Sequence, residues 1–539
     1  MLKSIKTLTP AGIYQDYLQG LPQATAFLGP HYRERKVFAE TAARVSTAYQ
    51  GDRAKLVALL LAYNRSIGGS AAAEVQLKKL TNPQSVVVVC GQQAGLLTGP
   101  LYTIYKALAA VKLAAQLEGQ LARPVVPLFW IASEDHDFLE ANHCYLQNSE
   151  QQLQKLELPL TPSGEPLGRL PLTAEAKETV IKELNEILPA SEFKAELMQW
   201  LTAVCQLADT PVSWFARLFS KLFNESGLVL FDPLLAEARQ LAAPVLAKAV
   251  ELRQEIEETL AEREAALVQH GYSLQVQRAP DSTLLMRMDE RRAALFFREG
   301  HYSTRDGSQT WKEAELLAAA RKEPQSVSAN VLLRPLVQDT IFPTLATVLG
   351  PGETAYFAQA LALYPLFGLQ QPCLVPRPSV TVLEARLNRY LTRYQVPETA
   401  LLTDLDSYLQ QVLQESSVVD LTAVFAQLKE QLAAAYQEAK SNLRQLNPQL
   451  ATLAEKNLQH VYQQVAYLEN KAQAEQKQQQ HVTIRHFAAL QEALTPQDKP
   501  QDRVLNIVQY LAKYGPDWWQ QLQEEFTAAP GHYLYQYEQ

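Results

Sequence analysis

Four valines in a row, Val86 to Val89, lead into Cys90 and then into Gly91-Gln92-Gln93-Ala94-Gly95, an abrupt change from apolar to polar. An apolar run without alternation suits a parallel strand covered on both faces. Glycines in the loop permit close backbone approach, and Pro100 after Gly99 is placed to open a helix over about 101–118. Pro124 and a second apolar run, Val125 to Ala132, complete a β-α-β unit that ends in Glu134-Asp135-His136-Asp137. Further buried runs predict a five-stranded parallel core over 86–90, 125–132, 228–231, 344–349 and 372–375. Ligands of such sheets bind beyond the carboxyl ends of the strands, so Gln92, Gln93 and the acidic loop are expected to face one crevice.

Around this core the period changes from strand to helix. Residues from Tyr14 to Leu80 show helical spacing, with Leu56, Leu59, Leu60 and Tyr63 on one face, and predict a helical segment over 1–80. The core is expected over 81–385, with insertions at about 145–225 and 234–325. The first insertion reads as polar and helical through Ala208, broken at Thr161 to Gly168. The second opens with a long helix from Leu234 to about His270. Three short antiparallel strands then follow at Tyr272–Gln277, Leu284–Met288 and Ala294–Arg298.

From Val419 to Gln480 the composition turns to Ala, Leu, Gln, Glu and Lys. Apolar residues at Leu421, Phe425, Leu428, Leu432, Ala435 and Ala439 step by 4 and 3, the seam of a coiled coil. A second seam, Leu450, Leu453, Val461, Val465, Leu468 and Ala472, follows Asn447-Pro448, which should break the helix. An antiparallel helical arm over 386–490 fits this pattern, with 491–539 returning to the core. Tyr436 and Tyr462 read as surplus apolar surface, to be covered by a second subunit in a homodimer.

Composition adds limits. The 539 residues are 47% hydrophobic and 20% charged, as in globular proteins. A formal net charge of -8 argues against a dedicated nucleic-acid or anionic-membrane surface. The N-terminus lacks the apolar core of a signal peptide, and no run approaches the length of a membrane helix, so the expected location is cytoplasmic. Cys90, Cys144, Cys205 and Cys373 are scattered without CxxC pairing and read as reduced thiols. Cys90 and Cys373 lie in apolar runs and read as small buried hydrophobes, with a thiolate nucleophile at Cys90 as the lesser reading.

Several residues carry candidate chemistry. Gly91, Gln92, Gln93, Gly95 and Gly99 form a loop with free backbone donors for an anion. Glu134, Asp135, His136 and Asp137 concentrate three carboxylates and an imidazole at a strand end, suited to holding an amine and taking its proton. The other reading of that loop is a solvated helix cap. Were the next segment helical, His136, Glu140 and His143 would share a face at a spacing that permits zinc, although the expected site holds no protein-bound metal. Arg334, Gln338 and Asp339 follow a β-like run, Asn330 to Leu333, and arginine's fork suits carboxylates, with a structural salt bridge as the alternative. Gly350-Pro351-Gly352-Glu353 opens another helix after a strand, with Tyr356 and Gln359 on the face of Glu353. Lys106 either borders the crevice or is solvated.

The strings GQQAG, GPLYTIYKA and FWIASEDHDF resemble the BshC family of bacillithiol biosynthesis, a family of cysteine ligases. The block SANVLLRPLVQDTIFPTLATVLGPGETAYFAQ from Ser328 to Gln359, PRPSVTVLE from Pro376 and PQDRVLNIVQYLAKYG from Pro500 are similar to the same family. The resemblance implies a Rossmann-like core related to nucleotidylyltransferases and class I aminoacyl-tRNA synthetases, carrying a coiled-coil arm that dimerises. It implies an amide-forming ligase joining L-cysteine to the amine of glucosaminyl-malate. Activating a carboxylate at neutral pH calls for ATP, with Mg2+ as companion cation. Arg334, Gln338 and Asp339 would then hold the malate carboxylates. Arg377 and Ser379 occupy the place where the related superfamilies keep a phosphate-binding loop. Those superfamilies also carry a histidine motif after the first strand, where this chain has Gly91-Gln92-Gln93-Ala94-Gly95. That departure keeps two alternatives open: a nucleotide-binding scaffold or regulatory protein acting through its coiled coil, and a small-molecule nucleotidylyltransferase.

Overall fold

The computed structural model describes residues 2–5, 11–162, 164–416 and 420–537. Val419, where the coiled-coil composition begins, and Ser163, within the predicted interruption, lie outside the described residues. The chain divides into two units, one formed by residues 1–382 with 496–537 and the other by Leu383–Thr495.

The first unit is organised on the five predicted strands, β1 (Val86–Gln92), β2 (Val125–Ile131), β3 (Val229–Phe231), β4 (Thr344–Leu349) and β5 (Cys373–Pro376). They lie in the order β3-β2-β1-β4-β5, and every neighbouring pair is parallel. This is a Rossmann-like order, in which the chain runs outward from β1 to one edge and then returns to β4. The crevice between β1 and β4 is therefore the switch point of the sheet. Residues Val86 to Cys90 are fully buried, because helices cover both faces. The helix α1 (Leu101–Leu121) crosses from β1 to β2 and turns Leu101, Ile104, Tyr105 and Leu108 into the core. On the other side Phe129 of β2 meets Phe219 at 4.7 Å, from the helix Pro211–Leu222. The N-terminal helices pack onto the same sheet: the Asn64 side chain bonds both the N–H and the carbonyl of Leu230 in β3, and the Tyr17 hydroxyl donates to the Leu374 carbonyl in β5.

The insertions depart from expectation in detail. The segment after Asn142 is first a hairpin, His143–Gln147 against Leu153–Glu157, and becomes helical only from Ala174. Its polar faces hid the strands. The long helix is two, Ala236–Glu251 and Arg253–Gln269, separated at Leu252. Tyr272–Gln277 is not a strand. The antiparallel sheet instead takes Ser282–Met288, Arg292–Arg298, His301–Thr304 and Thr310–Trp311, and closes with Val327–Ala329 paired to Ser282–Met288. The β-like run Asn330 to Leu333 is a turn, with the Asn330 side chain capping Leu332 and Leu333 ahead of the helix α2 (Arg334–Ile341). The next helix, α3 (Pro351–Ala360), starts at the predicted Gly350-Pro351.

In the second unit α4 (Leu421–Leu446) and α5 (Pro448–Leu494) form the helical hairpin, broken at Asn447-Pro448 as its sequence demands. Tyr436 and Tyr462 are not surplus surface. The Tyr436 hydroxyl donates to Asn457 Oδ1 at 2.6 Å and that of Tyr462 to the Lys429 carbonyl at 3.3 Å, so both serve the hairpin itself. No helix among the described residues is long and apolar enough to cross a membrane.

Candidate functional site

At the carboxyl ends of β1 and β4 the first unit encloses a cavity of about 730 Å³. Its floor is the point where β1 meets β2: a Cβ at Gly91 would lie 2.9 Å from the Trp130 carbonyl oxygen, so the strand end can be only glycine. From α1, Lys106 reaches back into the cavity floor. Its Nζ donates to the Gly91 carbonyl at 2.5 Å, to Gln92 Oε1 at 3.1 Å and to Glu353 Oε2 at 2.6 Å. Burial holds the Lys106 ammonium below the usual lysine range, against the pull of Glu353. Glu353, in the first turn of α3, also accepts from the Gly350 N–H at 2.7 Å. Lys106 is thus a buried crevice residue, not a solvated one.

The acidic loop after β2 contributes unevenly. Asp135 lines the cavity and is oriented by Gln93 Nε2 at 2.6 Å and by the backbone N–H groups of His136 and Asp137. The same Gln93 amide donates to Glu140 Oε2 at 2.9 Å, so one NH2 group sits between two crevice carboxylates. Glu134 faces the cavity but is ion-paired with the buried Arg239, whose guanidinium also binds the Pro324 and Val327 carbonyls. His136 and Asp137 do not line the cavity: Asp137 caps the short helix Phe138–Ala141, and the His136 ring is held below the usual histidine range by burial and by Arg292. That helix is too short to bring His136, Glu140 and His143 onto one face, since His143 already begins a strand.

Arginines line the cavity as well. Arg334 stacks 5.9 Å from the Trp130 ring and bonds the Tyr356 hydroxyl at 3.1 Å and Gln338 Oε1 at 3.0 Å. Burial opposes its charge, and Tyr356 with Glu353 more than offsets that, raising it above the usual arginine range. Arg377, just after β5, pairs with Asp502 at 2.7 Å and lies over the Tyr102 ring at 5.2 Å. Burial again works against the charge and Asp502 outweighs it.

Other expected site residues have different work. Gln338 and Asp339 do not line this cavity. Asp339 accepts from the Tyr364 hydroxyl at 2.5 Å and from Gln338, and faces a second cavity at the other end of the sheet beside Thr344. Gln338 lies one helical turn beyond Arg334 on the same face of α2 and bonds it, so the two residues sit a turn farther along the helix than the cavity reaches. Ser379 donates to Asp502 at 2.6 Å and so anchors Arg377 without reaching the cavity. Gly95 and Gly99 are packing glycines: a Cβ on Gly95 would lie 2.8 Å from Gly99 Cα, and Gly99 has φ +71°. Gln359 is buried against Val276 and does not line the cavity. Cys90 and Cys373 are buried, and burial raises both thiols.

The cavity also takes residues that the sequence reading did not select: Tyr102, Trp130, Gln275, Arg292, Lys499 and Arg503. Tyr102 belongs to the GPLYTIYKA string and Arg503 to PQDRVLNIVQYLAKYG, two of the segments that carry the family resemblance. Gln275 and Arg292 come from an insertion and had no local signal.

Comparison with known proteins agrees with this architecture. Residues 1–378 match the family described as Bacillithiol biosynthesis BshC, N-terminal Rossmann-like domain, and residues 380–536 match its C-terminal coiled-coil domain. A protein of Heliobacterium modesticaldum is 33% identical over 540 residues, 97% of each chain. One of Desulforamulus reducens is 32% identical over 457 residues, 84% of each, and one of Bacillus cereus (strain G9842) is 31% identical over 468 residues, 86% of this chain and 87% of its own. All three are named "Putative cysteine ligase BshC". With both of its domains matched and its crevice at the switch point of the sheet, the chain belongs to the BshC family of bacillithiol biosynthesis.

Proposed function

We propose that this chain is a carbon–nitrogen ligase that joins the carboxyl group of L-cysteine to the amine of glucosaminyl-malate, using ATP. The observation that carries the reading is one cavity lined by both cationic side chains and carboxylates, beside relatives named as cysteine ligases. Amide formation needs both: donors for the anionic groups of the activated acid, and a carboxylate for the attacking amine.

The residues present fit a polyphosphate. Lys106, Arg334 and Arg377 line the cavity at the carboxyl ends of the strands, where nucleotide phosphates bind sheets of this order. ATP, when bound, would supply the activation of the cysteine carboxylate. Mg2+ belongs to the same proposal as a companion of the phosphates, held mainly by their oxygens. Asp135 and Glu140 would receive the substrate ammonium where the Gln93 amide now donates to both. Asp135 takes one proton before attack, the free amine then forms the C–N bond as the activating phosphate group leaves, and the second N–H proton passes to solvent. Arg292 Nη1 lies 3.9 Å from Asp135 Oδ1, so the carboxylate has a cationic neighbour on the cavity side. Trp130 and Tyr102 wall the cavity and limit water.

Assembly and location belong to the same reading. The arm exposes Leu453 at 61% and Tyr467 at 62%, two heptads apart on α5, a stripe fitted to a second copy in a cytoplasmic homodimer.

Two measurements test the proposal. A strain lacking the gene should lose the cysteine-containing thiol and accumulate glucosaminyl-malate. The purified chain with ATP, cysteine and glucosaminyl-malate should form the amide. Unchanged thiol in the strain would sink the ligase reading in favour of a scaffold, and pyrophosphate release without amide would favour a nucleotidylyltransferase.

A further inference from the structure

Six cationic side chains line the crevice, Lys106, Arg292, Arg334, Arg377, Lys499 and Arg503, against four carboxylates, Glu134, Asp135, Glu140 and Glu353. Four of the six are already engaged. Lys106 is held by Glu353, Arg377 by Asp502, Arg334 by Tyr356 and Gln338, and Arg292 by Ser328 and the Ala329 carbonyl. Lys499 and Arg503 alone among the described cavity cations make no side-chain hydrogen bond or ion pair. In a protein of net charge -8, two unspent cations aimed at one cavity are a surplus that an anion would neutralise.

The segment that presents them is held firmly. Gln501 bonds both the N–H and the carbonyl of Val382, Asp502 pairs with Arg377, and Asn506 donates to the carbonyls of Leu97 and Gly99 at the start of α1. The Leu505 carbonyl accepts the first N–H of α1 at 2.9 Å. Just before Lys499, Gln497 and Asp498 both adopt left-handed backbone with φ 55°, a conformation non-glycine residues take in succession only where the surroundings impose it. The strand ends of the sheet thus share their crevice with a strap from the far end of the chain.

We infer that the strap 497–503 is an anion-binding element of this crevice, with Lys499 and Arg503 as the residues that receive a multiply charged anionic group of a substrate. Arg503 offers a planar fork and Lys499 a point charge, a pair suited to adjacent carboxylates or to a phosphate chain. Only the identity of the anion rests on the ligase reading: the malyl dicarboxylate of the acceptor or the polyphosphate of ATP.

The test is calorimetric titration of the full-length chain with two probes, inorganic pyrophosphate and L-malate, in the wild type and in Lys499→Met, Arg503→Met, the double variant and Arg503→Lys. Both side chains are exposed, so thermal unfolding should be unchanged in every variant. A charge-assisted hydrogen bond corresponds to roughly tenfold in affinity, so each single change should weaken one probe by about that factor and the double change by more. Arg503→Lys should keep most of the binding. Loss confined to pyrophosphate assigns the strap to the polyphosphate, and loss confined to malate assigns it to the dicarboxylate. A double variant that binds both probes within twofold of wild type, or a wild type that binds neither, overturns the inference. Titration reads binding alone, so a chain that binds through the strap yet forms no amide would sink the ligase reading and leave this one standing.

Discussion

Lys106 Nζ and Glu353 Oε2, 247 residues apart in sequence, meet at 2.6 Å across the switch point of the sheet. One stands on the helix that follows β1 and the other on the first turn of the helix that follows β4, so the pair ties together the two strands between which the crevice opens. Their side chains are 1% and 22% exposed, which makes the pair expensive to break singly.

Lys106→Met should therefore destabilise the first unit by on the order of 3 kcal/mol, because it leaves Glu353 short of its partner in a poorly solvated place. Glu353→Gln should cost a similar amount by stranding the buried ammonium. The double variant Lys106→Met/Glu353→Gln should be more stable than the sum of the two losses implies. Denaturant midpoints of the four proteins check this, and strict additivity would show that the two groups do not act as a pair.

The acidic loop separates two roles that its sequence presents as one. Asp135→Asn should lower amide formation by roughly 10² or more, the loss expected when a positioned proton acceptor is removed. His136→Ala should stay within a few-fold of wild type, since the ring does not line the cavity. Rates for the two purified variants decide it. Equal losses would mean that the loop acts by its fold and not through Asp135.

Asp339 gives a pH dependence of stability. Burial raises its carboxyl from the model-peptide value of 3.8 to about 6 in the folded chain. A raised folded value means that the group favours folding fully below pH about 4, and that this contribution is lost as pH climbs through about 6. The shift of about two units corresponds to roughly 3 kcal/mol at most. The stability difference between wild type and Asp339→Asn should thus fall by about 2–3 kcal/mol from pH 4 to pH 8. Urea titrations at the two pH values measure it, and a constant difference would place the Asp339 titration outside this window.

The contrast between Asp135 and Asp339 shows what was legible in the sequence. Strands such as Val86–Gln92 announced themselves because burial on both faces removes all polar residues from a run. The residues at and just beyond their ends, Gln92, Gln93 and Asp135, followed from the rule that such sheets bind at their carboxyl ends. Gln338 and Asp339 were misplaced because Asn330–Leu333 has strand-like composition, whereas the Asn330 cap turns the chain into α2, where only Arg334 faces the cavity. Lys499 and Arg503 arrive at the crevice from more than a hundred residues beyond β5. That pairing depends on the strap's long-range bonds to Val382 and Gly99, for which local sequence holds no signal.

The arm offers the last prediction. Leu428 and Leu432 are half-buried in the hairpin seam between α4 and α5, with Phe425 and Val465 buried beside the same interface. Charging these two positions attacks the hairpin itself: taking a large apolar side chain out of such a seam costs about 2 kcal/mol or more, so Leu428→Glu with Leu432→Glu should melt the arm. The dimer is better tested from outside. Leu453 and Tyr467 are 61% and 62% exposed and spaced by two heptads, so neither is needed to close the hairpin. Leu453→Glu with Tyr467→Glu should leave helicity intact and convert dimers to monomers in sedimentation. A wild type already monomeric at micromolar concentration, or a double variant that still sediments as a dimer, would show that this stripe does not mediate assembly.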